Sequence, residues 1–110
     1  MAEAVILYTT WPDAEMAEAV ARAAIEAGSC ACVNIGLPIR SIYRWQGAVE
    51  TATETPALFK TAASKAEALK AFILERHPYD LPCVVALPIA AEGSHPAYLA
   101  WIGGETAGKI

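Results

Sequence analysis

The chain has 110 residues, 55% of them hydrophobic, with 8 basic and 12 acidic side chains and a net charge of -4. That length holds one core, so residues 1–110 are expected to form a single domain. Few and scattered Lys and Arg exclude a nucleic-acid partner, which needs them clustered. No apolar run reaches the roughly 20 residues that cross a bilayer. No membrane partner is expected. The start, Met1 to Tyr8, has no basic region or cleavage site and predicts a cytoplasmic protein.

The first expected element is a strand from Ala4 to Trp11, continuously apolar and then Thr-rich. Pro12 closes it, and Asp13 is placed to cap a helix with Met16, Ala19, Val20, Ala23 and Ala27 as its buried stripe. Glu18 and Arg22 form an i,i+4 pair on the wet face, and Gly28 ends the helix as a left-handed cap.

Cys30 to Thr61 then reads as a long hairpin: a first arm to Trp45, a turn at Gln46-Gly47 and a return arm from Val49. Roughly 14 residues at about 3.3 Å each give an arm of about 46 Å. A compact domain of this size is about 34 Å across, so the hairpin should overhang it. Gly36 and Pro38 offer an alternative in which the arm breaks into two shorter strands. In either form the tip exposes Ile42, Tyr43 and Trp45, and a second copy of the chain is the expected cover.

Ser64-x-x-Glu67 is a capping box for a second helix to about Arg76, lined by Ala66, Leu69, Phe72 and Ile73. His77-Pro-Tyr-Asp-Leu-Pro82 forces an extended connection. Val84 to Ala90 is a further apolar strand, with Pro88 marking an edge or a bend. Ser94-His95-Pro96 opens a short helix with Tyr98, Leu99, Trp101 and Ile102 inward, Gly103-Gly104 at its end and a loose remainder. The order βαββαβ plus a terminal helix is that of an α+β, ferredoxin-like split βαβ fold. Its second sheet face also needs covering, and self-association is the simplest cover.

Chemistry is sparse. Neither His77 nor His95 has a nucleophile in a recognisable elbow, and no glycine loop precedes a helix to cradle phosphate. His77 either rests on the carbonyls that end the second helix or ligates a metal with partners brought by the fold. Cys30 and Cys32, two apart, are expected on one side of a strand, as a buried structural pair or a soft-metal pair, and all three cysteines as reduced thiols. Glu50 and Glu54 share a face, either simply solvated or weakly attractive to cations. Trp11, Tyr43, Trp45, Tyr79, Tyr98 and Trp101 serve as core and interface, or some of them as a ligand platform. Tyr43, Trp45 and Lys60 would line a cleft suited to a small anion or nucleotide if a second subunit closes it.

Several stretches together resemble one family: Tyr8-Thr-Thr-Trp-Pro-Asp13, Cys30-Ala-Cys-Val-Asn34, Ser41-Ile-Tyr-Arg-Trp-Gln-Gly47, Lys60-Thr61, His77-Pro-Tyr-Asp-Leu-Pro82 and Tyr98-Leu-x-Trp101. In the same order these are similar to the CutA divalent-cation tolerance proteins. The resemblance implies a ferredoxin-like homotrimer with long hairpins reaching onto neighbours, PII-like clefts between subunits, no established reaction and no required cofactor. An inter-subunit cleft would use Tyr43, Trp45, Lys60, Tyr79 and Trp101, taking copper, another divalent cation or a small molecule. Copper-binding members carry a Cys where this chain has Thr9 and a His where it has Arg76. His77 and Cys32 remain as the metal candidates. A small enzyme using Lys60 and a carboxylate on an anionic substrate, and a purely structural trimer, are the rival readings.

Overall fold

The computed structural model describes residues 3–107. In chain order these form β1 (Ala4–Trp11), α1 (Ala14–Glu26), β2 (Cys32–Ile35), β3 (Ile39–Trp45), β4 (Ala48–Ala62), α2 (Ala66–Arg76), β5 (Val84–Ile89) and α3 (Pro96–Thr106). The antiparallel sheet runs β2-β4-β1-β5, with β3 added on the free length of β4. With β2 and β3 counted as one arm, this is the ferredoxin-like order.

Cross-strand pairs share a face, so the register Leu7↔Phe59, Thr9↔Ala57 and Trp11↔Thr55 puts these side chains together. α1 and α2 cover that face with Ala17, Val20, Ala21, Ala24, Leu69 and Ile73. α3 lies on the other face, where Ile102 packs on Ala4 and Ala31. The rest of that face stays open along β5, where Val85 and Leu87 are exposed. Pro88 sits on this edge strand, where the missing N–H costs no ladder bond.

Asp13 caps α1 by accepting from the Met16 N–H at 2.8 Å, and Gly28, at φ 76, ends it. The Gly28 and Ser29 N–H groups return to the Ile25 and Ala24 carbonyls, which is a Schellman motif. The buried stripe differs from expectation: Ala17, Val20, Ala21 and Ala24 face inward while Ala19 and Ala27 are exposed. Alanines on every side of the helix leave its orientation to its neighbours.

The long first arm is broken, as Gly36 and Pro38 allow: the Gly36 N–H donates to the Pro56 carbonyl at 3.0 Å and a side chain there would meet the Pro56 ring. At the tip, Gln46 (φ 50) and Gly47 (φ 83) are both left-handed, the conformation of a two-residue type I′ turn. Because β1 ends its pairing at Thr55, β4 residues 48–54 have no strand partner except β3 among the described residues. They form a protruding ribbon about 23 Å long, and the molecule extends 44 × 28 × 23 Å.

Two expected helix ends are corrected. The Ser64 capping box does not form: β4 runs on to Ala62, Ala63–Lys65 make a 3₁₀ turn, and α2 starts without a side-chain cap. α3 passes through Gly103-Gly104 to Thr106, whose buried hydroxyl donates to the Ile102 carbonyl at 3.0 Å. Only Ile102 and Thr106 of α3 are fully buried, with Leu99 partly so; Tyr98 and Trp101 lie exposed instead of inward. Of the expected loose remainder, residues 108–110 lie outside the described residues.

Candidate functional site

Pro78 excludes the helical conformation for the residue before it, so His77 leaves α2 extended at ψ 137. Its ring turns inward and stacks on Trp11, with centroids 4.2 Å apart. Nε2 lies 2.8 Å from the Thr10 carbonyl, and Nδ1 accepts the Tyr79 N–H at 3.2 Å. These contacts assign the Nε2–H tautomer, with both ring nitrogens engaged inside the chain. The Trp11 indole N–H donates to the Thr9 hydroxyl at 2.7 Å, and that hydroxyl donates to the Ala57 carbonyl at 2.8 Å. His77 and Trp11 together pin the start of the 78–83 segment to the end of β1.

That segment faces the protruding ribbon across a groove of about 820 Å³. The ribbon supplies Ser41, Tyr43 and Trp45 from β3 and Glu50, Ala52 and Glu54 from β4, all on one pleat face. Tyr79, Asp80 and Cys83 form the opposite wall. Burial, then the Glu54 carboxylate beside it, pushes the Tyr79 phenol up to about 12. Burial and the same carboxylate raise the Cys83 thiol. Glu54 is half-buried and Glu50 exposed. With Asp80 the groove holds three carboxylates against Arg44 at its rim.

Within one chain the five cleft residues separate. Tyr43, Trp45 and Tyr79 line the groove. Lys60 and Trp101 belong to a second cluster under α3, where Lys60 Nζ donates to the Tyr98 hydroxyl at 3.3 Å and Tyr98 packs on Trp101 at 5.5 Å. The metal candidates are also apart. Cys32 pairs with Lys60, which pairs with Ile6, whereas His77 is held at Thr10. Four β1 positions separate them by about 13 Å along the strand.

Cys30 and Cys32 do not share a side as the spacing suggested. Cys30 is buried in the helix-covered core and Cys32 sits on the Lys60 face, because Cys30 precedes the start of β2 and its alternation. Burial raises the Cys30 thiol to about 11. Arg76 lies over the Phe72 ring at 3.6 Å and donates to the Phe72 carbonyl. Among the described residues no group of three His, Cys, Asp or Glu is placed to hold a metal ion. Cys83 and Thr10 are groove residues that the sequence reading does not assign to a site, whereas the spacing of Glu50 and Glu54 on one strand face is a signal in the sequence.

The family model described as CutA1 divalent ion tolerance protein matches residues 5–105. The Divalent-cation tolerance protein CutA of Thermus thermophilus is 43% identical over 104 residues, covering 94% of this chain and 98% of its own length. The Protein CutA homolog of Xenopus laevis is 41% identical over 96 residues, covering 87% of this chain and 62% of its own length. The chain thus spans about three fifths of that relative and 52% of mouse Protein CutA. Among solved structures, CutA1 from the psychrotrophic bacterium Shewanella sp. SIB1 superposes with a TM-score of 0.90 at 34% identity, covering 96% of this chain and 97% of that one. The divalent cation tolerance protein from Thermus thermophilus does so with 0.88 at 38%, covering 94% and 99%.

Proposed function

The chain belongs to the CutA1 divalent ion tolerance family, and on that premise we propose that it is a non-enzymatic binding protein working as a homotrimer. In this reading a neighbouring chain closes the groove beside the hairpin, a metal ion or small ligand binds there, and occupancy is relayed between subunits in a PII-like manner. What carries the reading is the apolar surface of the ribbon, where Ile42 is 68% and Val49 64% exposed on two strands with no core of their own. Such a ribbon is marginal in water unless something packs on it, and the open β5 face supplies further apolar surface.

A tight copper centre built from His77 and Cys32 of one chain does not fit, since the imidazole has no free nitrogen and the thiol is remote. Divalent cations are read as weak ligands of the acidic groove or of side chains meeting between subunits. The enzymatic rival needs Lys60 beside a groove carboxylate, and Lys60 is instead engaged by Tyr98. No helix among the described residues is long and apolar enough to cross a membrane. A cytoplasmic setting is supported by three cysteines that are all free thiols.

Native mass spectrometry of protein purified without chelator, with stepwise Cu(II) and Zn(II), tests the proposal. A trimer mass that takes up metal is expected. A monomer mass refutes the assembly, and a trimer indifferent to both metals retires the metal half of the reading.

A further inference from the structure

The groove has a directional layout. Glu50 and Glu54 lie on one face of one strand with Ala52 between them, and Ser41 pairs with Ala52. Two acidic side chains therefore rise from Cα positions about 13 Å apart over a floor of two small side chains. Each carboxylate has an aromatic beside it: Tyr43 pairs directly with Glu50, and Tyr79 meets Glu54 through its hydroxyl while lying within electrostatic reach of Tyr43. Trp45 continues the aromatic wall beyond Tyr43. Such a layout favours a cation whose charges are spread along the groove over a tightly held metal ion, whose donors must converge on one point, and disfavours an anion, given three carboxylates against one Arg.

We propose that the groove binds a linear aliphatic polyamine, one terminal ammonium at Glu50 with Tyr43 and the other at Glu54 with Tyr79, its methylenes lying over Ala52 and the inner ammonium of spermidine donating to the Ser41 hydroxyl. Ammonium groups gain from a carboxylate and from an aromatic face together, while the chain buries CH₂ groups against apolar walls. The inference rests on the reading of the groove as the ligand site, and every residue it uses belongs to one chain. Reach sets the selectivity. An extended spermidine spans about 11 Å between its terminal nitrogens, at about 1.25 Å of advance per bond, and side chains leaning inward close the remainder. Putrescine, at about half that length, leaves one carboxylate unmet.

Isothermal titration of the full chain with spermidine, putrescine and butylamine tests this, with native mass recorded on the same samples. Spermidine is expected to bind saturably and about tenfold tighter than either shorter amine, the size of one added ammonium–aromatic–carboxylate contact. Glu50→Gln and Glu54→Gln should each bring spermidine down to the level of butylamine, and Ala52→Leu, which fills the floor, should weaken it without altering charge. Spermidine and butylamine binding alike, spermidine unaffected by either Gln variant, or no saturable binding would each overturn the proposal. If one Gln variant fails to fold, the other and Ala52→Leu still decide. A chain that trimerises and takes up metal but ignores spermidine refutes this inference alone. A monomer that binds spermidine refutes the assembly and leaves this inference standing.

Discussion

Thr9→Val isolates the hydrogen-bond chain under the groove. The substitution keeps the side-chain shape but removes a hydroxyl that donates to the Ala57 carbonyl at 2.8 Å and accepts from the Trp11 indole at 2.7 Å. Thr9 and Trp11 are both fully buried, so water cannot replace either bond. The lost donor costs about 1 kcal/mol and the orphaned indole N–H about 1–3 kcal/mol. An added buried methyl returns about 0.8 kcal/mol, leaving a net loss of about 2 kcal/mol. Urea denaturation at one fixed chain concentration measures it, since association would otherwise shift the midpoint. In a Trp11→Phe background the indole N–H is gone, and Thr9→Val should cost less than in the parent by the whole orphan penalty, about 1–3 kcal/mol. Costs equal in both backgrounds within about 0.3–0.5 kcal/mol, the scatter of independent sites, would refute the assigned bond chain.

Trp45→Ala should shift the native mass toward monomer and lower stability by about 3 kcal/mol per chain if the tip is covered by a neighbour; an unchanged mass and denaturation midpoint contradict that cover. Tyr79, raised from 10.0 to about 12, keeps its neutral phenol favoured in the fold, so its stabilisation is intact below about pH 10 and lost as pH rises to about 12. Tyr79→Phe should flatten that part of the alkaline stability curve, and an identical curve would sink the assignment. Cys30, with its thiol at about 11 and its side chain buried, should be alkylated last of the three cysteines in a timed maleimide reaction read by peptide mass. Labelling of Cys30 before Cys32 contradicts its placement in the core.

Where a residue's role is local, the sequence alone was enough. Asp13 three positions before a free N–H, Gly28 where a left-handed residue is required and Gln46-Gly47 between two strands all do what their chemistry predicts. Misplacements arise where neighbours decide. Alanine on several sides of α1 marks no inward face, so packing on the sheet chose Ala17 and Ala24 over Ala19 and Ala27. Ser64 had a good box sequence, but continued pairing of β4 through Ala62 moved the helix start beyond it. Gly103-Gly104 reads as a stop, yet Thr106 is buried and hydrogen-bonded one turn later, which holds the glycines in helix. Lys60 looked like a companion of Trp45, and only the fold shows that Tyr98 takes it. The groove drew on residues from β1, the ribbon and the 78–83 segment, a combination no local pattern encodes.

β4 runs unbroken from Ala48 to Ala62, so odd and even positions keep their sides from core to tip. The fully buried Ala57 and Phe59 act as an index mark for Glu54, Ala52 and Glu50 on the same strand. Inserting one residue into β4 just ahead of Thr55 would leave the core in place and turn all three outward. Inserting two would restore their aim and extend the ribbon by about 6.6 Å. The reach of the arm is therefore adjustable only in paired steps, and its aim is fixed by side chains that never touch the groove.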